Sequence, residues 1–211
     1  MADTPATVIV IDDDTSMREA VGKLVRSVGF QVKLLVSVAE FIQSGRPDSP
    51  TCLVLDVRLP GKSGLDFQRD LVAANIQLPI VFITGHGDIP MSVRAMKVGA
   101  VEFLTKPFRD QDLLDAVQVG LARDRAWLEE QKGMALLRAR FETLTPREQE
   151  VMRFVALGQM NKNIAYDLGV SEVTVKVHRG KVMKKMRASS LADLARMADK
   201  LKLTQSELKG P

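Results

Sequence analysis

Short apolar runs rich in β-branched residues alternate with longer amphipathic segments along the first half of the chain. The runs are TVIVI, QVKLL, CLVL, PIVFIT and VEFLT, and an amphipathic segment follows each of them. Runs of this kind predict strands, and apolar residues that recur every three or four positions predict helices. Five strand–helix repeats therefore predict an α/β domain, in which a doubly wound five-stranded parallel sheet carries helices on both faces.

The pattern changes after Leu121, where helix-forming residues continue but no further strand is predicted. The segment ARDRAWLEEQKGMALLRARFETL predicts a charged helical connector. We expect this connector to be weakened at Gly133, because glycine in a helix costs about 1 kcal/mol relative to alanine.

Four short helices are predicted beyond the connector, each bounded by capping residues or glycine. The first helix begins with a Thr145–Glu148 capping box, has Pro146 at its first position and ends at Gly158. The second runs from about Lys162 to Leu168 and is followed by Gly169. The third is capped by Ser171 and runs to about Met186, and Ser190 precedes the last. This part of the chain therefore predicts a second, smaller all-α domain of four helices.

Composition limits the class of protein. Apolar residues make up 45% of the 211 residues, which is ordinary for a globular protein with two modest cores. The chain shows neither a secretory signal nor an apolar stretch of about 18 residues, so we expect a cytoplasmic protein that does not cross a membrane. Cys52, in the apolar run CLVL, is expected to be a buried thiol without a function. One cysteine and two separated histidines do not support a zinc site.

Charge is divided unevenly along the chain. Residues 1–119 carry 12 Lys and Arg against 15 Asp and Glu, residues 120–143 carry 5 against 4, and residues 144–211 carry 13 against 7. The net charges of these segments are −3, +1 and +6, within a total of +4. The acidic first segment predicts a cation site, and the basic last segment predicts a polyanionic partner.

Polar residues with complementary chemistry fall where the predicted strands end. Asp12 and Asp13 follow the first run, Asp56 follows the third, Thr84 ends the fourth, and Lys106 follows the fifth. Ligands of parallel α/β sheets bind beyond the carboxyl ends of the strands, so these side chains are expected to meet. Because neighbouring carboxylates repel one another, the cluster predicts a site for a hard cation such as Mg²⁺. Asp56 could then act as a nucleophile toward a phosphoryl group, whose oxygens would be contacted by Lys106 and Thr84.

The segment TVKVHRGKVMKKMR has an apolar face and a basic face when it is drawn as a helix. The apolar face carries Val175, His178, Val182 and Met186, and the opposite face carries Lys176, Val177, Gly180, Lys181, Lys184 and Arg187. A short helix, a glycine turn and this basic helix predict a helix-turn-helix whose second helix enters the DNA major groove. His178 is expected to pack in the core or to orient the helix. Gly180 predicts either close backbone approach to DNA or weaker specificity at that point.

The motifs IDDD, LDVRLPGKSG, FITGHGD and EFLTKPF together resemble the receiver domains of two-component response regulators, over about residues 5–122. The resemblance implies a flavodoxin-like fold with a phosphoryl acceptor on the third strand. The implied roles are acceptor for Asp56, Mg²⁺ binding for Asp12, Asp13, Asp56 and the Arg58 backbone carbonyl, and phosphoryl pairing for Lys106. A cis peptide bond between Lys106 and Pro107 is also implied.

The same resemblance implies a switch pair of Thr84 and Phe103. The threonine is expected to move toward the phosphoryl group while the ring of Phe103 turns inward, which changes the surface of the fourth helix, fifth strand and fifth helix. Arg58 and His86 match positions that tune the lifetime of the phosphoryl group. For His86, an ordinary loop histidine is an equal alternative.

The motifs TPREQEV, LGQMNKNIAYDLGVS and TVKVH resemble the LuxR-type DNA-binding domain over about residues 142–205, and the whole chain resembles a FixJ-type response regulator. We therefore expect a receiver domain in residues 1–122, a helical linker in 123–141 and a LuxR-type helix-turn-helix domain in 142–211. The expected DNA contacts are Lys162, Asn163, Thr174, Lys176, Val177, Arg179, Lys181 and Lys184, with Lys176 and Val177 closest to the base edges. The expected partners are a sensor histidine kinase, double-stranded promoter DNA, RNA polymerase and, after phosphorylation, a second copy of the chain.

These features predict a transcriptional regulator that is controlled by phosphorylation of Asp56, and the resemblance favours an activator. We expect it to catalyse no reaction beyond its own phosphotransfer and dephosphorylation. Two alternative functions are each opposed by one feature of the sequence. A haloacid-dehalogenase-like phosphatase needs a second acid two residues after the nucleophile, and Arg58 occupies that position. A phosphorylation-independent regulator, whose receiver domain serves only for dimerisation, commonly lacks the acceptor or the acidic pair, and this chain has both.

Overall fold

The computed structural model describes residues 5–85 and 87–203. The chain forms two compact units, Met1–Leu128 and Glu129–Pro211. None of the helices within the described ranges combines the length and the hydropathy that crossing a bilayer requires.

The first unit is built on a parallel five-stranded sheet, as the strand–helix repeats predict. Its strands are β1 (Thr7–Ile11), β2 (Gln31–Leu35), β3 (Thr51–Asp56), β4 (Ile80–Thr84) and β5 (Glu102–Thr105). Its helices are α1 (Thr15–Ser27), α2 (Val38–Ser44), α3 (Gly64–Ala73), α4 (Ile89–Lys97) and the first part of α5 (Asp110–Glu142). The strand order β2-β1-β3-β4-β5, with every pair parallel, is the flavodoxin-like order.

Residues of the central strands alternate between two hydrophobic clusters, one on each face of the sheet. The cluster that includes Ile9, Leu53 and Phe82 packs against α2, α3 and α4. The cluster that includes Val8 and Cys52 packs against α1 and α5. Because both faces are covered, β1, β3 and β4 are buried along their whole length. Cys52 is therefore a buried thiol, as predicted, and burial raises its pKa.

Asp124 and Trp127 of α5 contact Arg46, which follows α2. Arg46 Nη2 donates to both carboxylate oxygens of the buried Asp124, at 2.9 and 2.7 Å. The N–H of Thr51 also donates to Asp124, and the Arg46 guanidinium lies 4.8 Å from the centroid of the Trp127 ring. Burial raises the pKa of Asp124 despite these partners. The contacts hold α5 against the first unit beyond Leu121.

Helix α5 is one continuous helix of 33 residues, whereas the sequence predicts a separate connector weakened at Gly133. Gly133 is exposed, and a side chain there would have no neighbour within 4 Å. Buried residues hold the helix on both sides of this glycine, Leu121 in the first unit and Leu137 in the second. Each buried leucine contributes about 1.5–3 kcal/mol, which exceeds the cost of about 1 kcal/mol for a helical glycine.

The second unit contains the end of α5 and four helices, α6 (Pro146–Ala156), α7 (Asn161–Leu168), α8 (Glu172–Met186) and α9 (Leu191–Lys200). The predicted Thr145–Glu148 capping box is present, and Ser171 caps α8 through the N–H of Thr174. The core of this unit brings together residues from every helix, with Leu137 from α5, Val151 and Met152 from α6, Ile164 from α7, Val175, Val182 and Met186 from α8, and Leu194 and Ala198 from α9.

Polar contacts join the end of α8 to the chain around the start of α6. The ammonium of Lys185 donates to the Thr143 carbonyl oxygen at 3.0 Å and to Glu148 Oε2 at 2.6 Å. Glu148 is 3% exposed. Burial opposes its ionisation, but Lys185 and the N–H of Thr145 together hold the pKa of Glu148 below its ordinary value. In addition, Arg140 of α5 donates to the Met186 carbonyl oxygen at 3.4 Å.

Candidate functional site

The parallel sheet brings the predicted polar residues together at one edge. Asp12 follows β1, Asp56 ends β3, Thr84 ends β4 and Lys106 follows β5. Asp12, Asp56 and Thr84 are buried, and Lys106 is half-buried. The peptide bond between Lys106 and Pro107 is cis, as the resemblance implies.

Three carboxylates and one ammonium form the centre of this site. The carboxylate oxygens of Asp12, Asp13 and Asp56 lie within 4.8 Å of one another. Lys106 Nζ donates to Asp12 Oδ2 at 2.8 Å and to Asp56 Oδ2 at 2.7 Å. Burial raises the pKa of Asp12 although Lys106 opposes the shift. Burial lowers the pKa of Lys106, but the hydrogen bonds and charges of the two carboxylates outweigh it and raise that pKa overall.

Backbone N–H groups orient two of the carboxylates. The N–H of Asp14 donates to Asp12 Oδ1 at 2.9 Å, and the N–H of Arg58 donates to Asp56 Oδ1 at 2.8 Å. The carboxylate of Asp14 lies at the N-cap of α1, where it accepts from Ser16 and Met17. Of the three consecutive acids, two therefore belong to the cluster and the third begins a helix.

This donor set fits a hard divalent cation. Each of the three residues offers a carboxylate oxygen, the ligand type that Mg²⁺ prefers, and Asp13 is exposed, so the cluster is open to solvent on that side. One ammonium compensates only part of the charge of three ionised carboxylates, and a cation would compensate more of it. The residues present could therefore hold a metal ion.

Arg18 of α1 supports the turn that carries the acidic pair, and sequence reasoning did not identify it. Its guanidinium donates to the carbonyl oxygens of Asp12 and Asp13, at 2.7 and 3.4 Å, and to the Thr15 hydroxyl at 3.2 Å. An arginine on an amphipathic helix predicts a solvated charge, and only the turn after β1 places it against these carbonyls.

The predicted switch residues lie next to the acidic cluster on neighbouring strands. Thr84 is buried at the end of β4, and Phe103 of β5 is half-buried opposite Phe82 of β4, with 6.2 Å between the ring centroids. Gly87, in the loop after β4, lies against the side chains of both Thr84 and Phe103. His86 lies outside the described residues.

Helix α8 of the second unit has the two faces that the sequence predicts. Val175, Val182 and Met186 are buried. The opposite side is exposed and carries Lys176, Val177, Gly180, Lys181 and Lys184, with the exposed Arg187 directly after the helix. Val177 is 52% exposed and lies next to Lys176 on this face. This face therefore presents positive charge around one apolar side chain, a combination suited to phosphates and a thymine methyl group.

The other predicted DNA contacts differ in their exposure. Lys162 and Asn163 are exposed in the first turn of α7. Thr174 and Arg179 are half-buried: the Thr174 hydroxyl is bonded to Ser171, and Arg179 donates to the side-chain oxygen of Asn161. These two residues are engaged within the unit, and Arg179 links α8 to α7.

His178 lies between the two faces of α8. It is half-buried, and its Nδ1 is buried without a hydrogen-bond partner in the part of the chain that the structure describes. This position agrees with the predicted packing or orienting role and not with a base contact.

Two protein families account for most of the chain. The family described as response regulator receiver domain matches residues 8–118, and the family of bacterial regulatory proteins of the luxR type matches residues 142–198. The first match contains all of the acidic cluster, Lys106 and the predicted switch residues. The second contains the whole of α6, α7 and α8.

Relatives match both parts together. Nodulation protein W of Bradyrhizobium diazoefficiens is 60% identical over 200 residues, which cover 95% of this chain and 88% of that protein. The transcriptional regulatory protein FixJ of Rhizobium meliloti is 40% identical over 195 residues, covering 92% and 96%.

Solved structures of response regulators are also similar to this chain. The response regulator StyR matches with a TM-score of 0.82 and 48% identity, over 93% of this chain and 100% of StyR. Full-length FixJ from B. japonicum matches with a TM-score of 0.55 and 37% identity, over 93% and 97%. The chain therefore belongs to the FixJ-type response regulators, transcriptional regulators in which a receiver domain precedes a LuxR-type DNA-binding domain.

Proposed function

We propose that Asp56 accepts a phosphoryl group from a sensor histidine kinase and that this modification controls binding of the second unit to promoter DNA. The observation that carries the proposal is the position of Lys106, whose ammonium contacts both Asp12 and Asp56 beside a third carboxylate. A structural ion pair needs one acid and one base, and the additional buried and clustered acids are costly unless they serve chemistry.

In the proposed step, an oxygen of the Asp56 carboxylate attacks the phosphorus of a phosphohistidine. A P–O bond forms as the P–N bond breaks, and the released imidazole takes up a proton. Asp12, Asp13 and Asp56, with the carbonyl of Arg58, would hold Mg²⁺, which supplies positive charge to the phosphoryl oxygens when bound.

The side chains around the acceptor have separate roles. Lys106 exchanges its contact with Asp56 for one with a phosphoryl oxygen, which keeps the ammonium paired. Thr84 donates its hydroxyl to another phosphoryl oxygen, and Phe103 follows the movement of Thr84 as the second member of the switch pair.

Dimerisation through α4, β5 and α5 is the proposed consequence of phosphorylation. Arg94 and Lys97 of α4 are exposed and basic, whereas Asp112 and Asp115 of α5 are acidic. Exposed apolar residues lie among them on the same elements, with Ile89, Val93 and Met96 on α4 and Val119 on α5. Two copies of such a surface can pair opposite charges around an apolar centre.

The proposed DNA interface is the exposed face of α8 together with the start of α7. Lys162, Asn163, Lys181 and Lys184 would contact phosphates, while Lys176 and Val177 would contact bases. Thr174 and Arg179 are kept in the proposal as residues that also orient α8. Two copies would bind half-sites about 10 base pairs apart, and bound protein would then contact RNA polymerase.

Substitution of Asp56 by Asn tests the proposal. We expect the Asp56→Asn protein to take up no phosphate from acetyl phosphate and Mg²⁺, and to bind promoter DNA equally with and without the phosphodonor. Asp14→Asn is the matched control, because Asn also caps helices and Asp14 lies outside the cluster. Phosphate-dependent DNA binding that persists in Asp56→Asn would refute the proposal, and equal binding by all proteins would favour the phosphorylation-independent alternative.

A further inference from the structure

Gly87 occupies a narrow site against three side chains. A Cβ placed on this residue would lie 2.9 Å from Phe103 Cε1, 3.1 Å from Thr105 Cγ2 and 3.2 Å from Thr84 Cγ2. Carbon atoms in favourable contact are about 3.5–4.0 Å apart. The loop between β4 and α4 and the ring of Phe103 can therefore both keep these positions only because residue 87 has no side chain.

The backbone conformation does not explain the glycine. The φ angle of Gly87 lies outside the left-handed region, unlike that of Gly99, for which φ is +99°. Gly85, two residues earlier in the same loop, has open space around it, and a Cβ there would meet no non-local atom within 4 Å. The requirement at residue 87 is therefore for space and not for conformational freedom.

The three neighbours of Gly87 include both members of the proposed switch pair. Thr84 ends β4, Phe103 lies on β5, and both Phe103 and Met91 of α4 pack against the same hydrophobic cluster. Asp88, the next residue in the chain, is the N-cap of α4 and accepts from the N–H of Met91 at 2.7 Å. A displacement of Gly87 thus reaches the first turn of α4 through one peptide bond.

We propose that Gly87 is a positioning residue of the phosphorylation switch. Because it lacks a side chain, the loop closes onto Thr84 and Phe103, so that the position of the aromatic ring and the position of the start of α4 are coupled. The proposal rests on the function proposed above, in which Thr84 and Phe103 move when Asp56 is phosphorylated.

The Gly87→Ala variant cannot occupy this arrangement. The nearest obstacle is the end of the Phe103 ring, a flexible group, so ring and loop separate at modest cost and the rest of the fold remains. The relative position of the ring and the loop is then changed whether or not Asp56 carries a phosphoryl group. Phosphorylation itself continues, because the three atoms nearest to a Cβ on residue 87 belong to Phe103, Thr105 and Thr84 and not to Asp12, Asp56 or Lys106. The Thr84 atom among them is its methyl carbon and not the hydroxyl that is proposed to contact the phosphoryl group.

A double-mutant cycle in the full-length protein tests this coupling. The four proteins are the wild type, Gly87→Ala, Phe103→Leu and the double variant, and Gly85→Ala controls for loss of a loop glycine in the unfolding measurement. Leucine has no atom at the position of the phenylalanine ring tip, so the double variant removes the closest collision. Urea unfolding, phosphate uptake from acetyl phosphate with Mg²⁺, and promoter affinity with and without acetyl phosphate are measured for each protein.

We expect Gly87→Ala to take up phosphate, while the ratio of its promoter affinities with and without acetyl phosphate falls by about tenfold. In the Phe103→Leu background, Gly87→Ala should shift the urea midpoint less than in the wild type and leave the affinity ratio unchanged. If Gly87→Ala alone does not fold, recovery of folding in the double variant gives the same support.

Two results would overturn the coupling: a wild-type affinity ratio in Gly87→Ala, or an equal shift of the urea midpoint in both backgrounds. Failure of the double variant to fold would also overturn it. A wild-type protein whose promoter affinity ignores acetyl phosphate would instead refute the proposed function. The unfolding cycle, which needs no phosphodonor, would still decide whether Gly87 and Phe103 are coupled.

Discussion

Gly64 begins α3 at a point where its Cα lies against the acceptor strand. A Cβ on this residue would lie 2.5 Å from the carbonyl oxygen of Asp56 and 3.1 Å from Leu55 Cγ. Unlike the ring tip near Gly87, a backbone carbonyl in a central strand cannot turn aside. We expect Gly64→Ala to lower the free energy of unfolding by about 1–3 kcal/mol, measured by urea denaturation.

The control for this substitution is Gly133→Ala. Gly133 is exposed in the middle of α5, and a side chain there meets nothing within 4 Å. Alanine at this position should raise the free energy of unfolding by about 1 kcal/mol, because it favours the helix. A Gly64→Ala protein that is as stable as Gly133→Ala would contradict the close contact with Asp56.

Glu148 and Lys185 predict a pH-dependent contribution to the stability of the second unit. Burial opposes the charge of Glu148, but its partners hold its pKa below the ordinary 4.5. An acid with a lowered folded pKa stabilises the fold fully above its unfolded pKa, and this stabilisation is lost as the pH falls through the folded pKa. We expect Glu148→Gln to lose about 1–3 kcal/mol at pH near 7, and the loss to shrink as the pH falls below about 4.5.

Urea unfolding of both proteins across this pH range provides the measurement. Glutamine can still accept from the N–H of Thr145, so the capping geometry is kept and the lost ion pair is isolated. Glu150→Gln, which breaks a partly exposed pair with Arg147, should change the stability by less than about 0.5 kcal/mol. An effect of Glu148→Gln that does not depend on pH would contradict the ion-pair explanation.

Some residues of the site could be predicted from the sequence because their positions follow from the ends of strands. Asp12, Asp56 and Lys106 meet because parallel strands end at one edge of the sheet. Arg18 and Asp14 could not be assigned in this way, since their roles depend on the turn after β1, which only the folded backbone specifies. The same is true of the bond from Arg179 to Asn161, which joins two helices whose packing the helical pattern does not determine.

Helix boundaries in the second unit agreed with the sequence because local hydrogen bonds decide them. Thr145 and Glu148 cap α6, Ser171 caps α8, and Gly169 ends α7 with a left-handed conformation. The continuity of α5 depends instead on burial of its two ends in different units, which lies beyond any local signal. Gly133 weakens the helix in isolation, and tertiary packing on both sides outweighs that preference.

The orientation of α5 within the second unit predicts a contrast between adjacent leucines. Leu137 is 7% exposed in the core of this unit, whereas Leu136 is 54% exposed. We expect Leu137→Ala to lower the free energy of unfolding by about 2–4 kcal/mol and Leu136→Ala to change it by less than about 0.5 kcal/mol. Urea denaturation monitored by far-UV circular dichroism measures both, and equal effects would contradict the described face of the helix.

The distribution of charge and the two patterns of hydrophobic residues were sufficient to predict two units with different tasks. The acidic first unit contains the carboxylate cluster, and the basic last segment contains the lysines of α8. What the chain does as a whole depends on the number of copies that bind DNA together. In the proposed function, the surfaces of α4, β5 and α5 set that number. The dependence of DNA affinity on salt concentration measures it.

Each phosphate that a bound lysine neutralises releases counterions, so the logarithm of DNA affinity falls linearly with the logarithm of salt concentration, with a slope proportional to the number of contacts. If phosphorylation joins two copies on a two-fold site, the slope should become about twice as steep with acetyl phosphate and Mg²⁺. If phosphorylation only exposes the face of α8 in a single copy, the affinity should rise while the slope stays the same.

We expect the steeper slope on a site with two half-sites, measured by titration at several salt concentrations. On DNA that carries one half-site the slope should be equal with and without the phosphodonor, because a second copy finds no specific contacts there. The Lys184→Ala protein lacks one exposed lysine of α8, so the magnitude of its salt slope should be lower than that of the wild type by about 1 for each bound copy. On the two-fold site, this difference in slope from the wild type should therefore double upon phosphorylation. A slope that is unchanged by acetyl phosphate on the two-fold site, together with higher affinity, would exclude phosphorylation-driven pairing on DNA and favour exposure of the α8 face in a single copy.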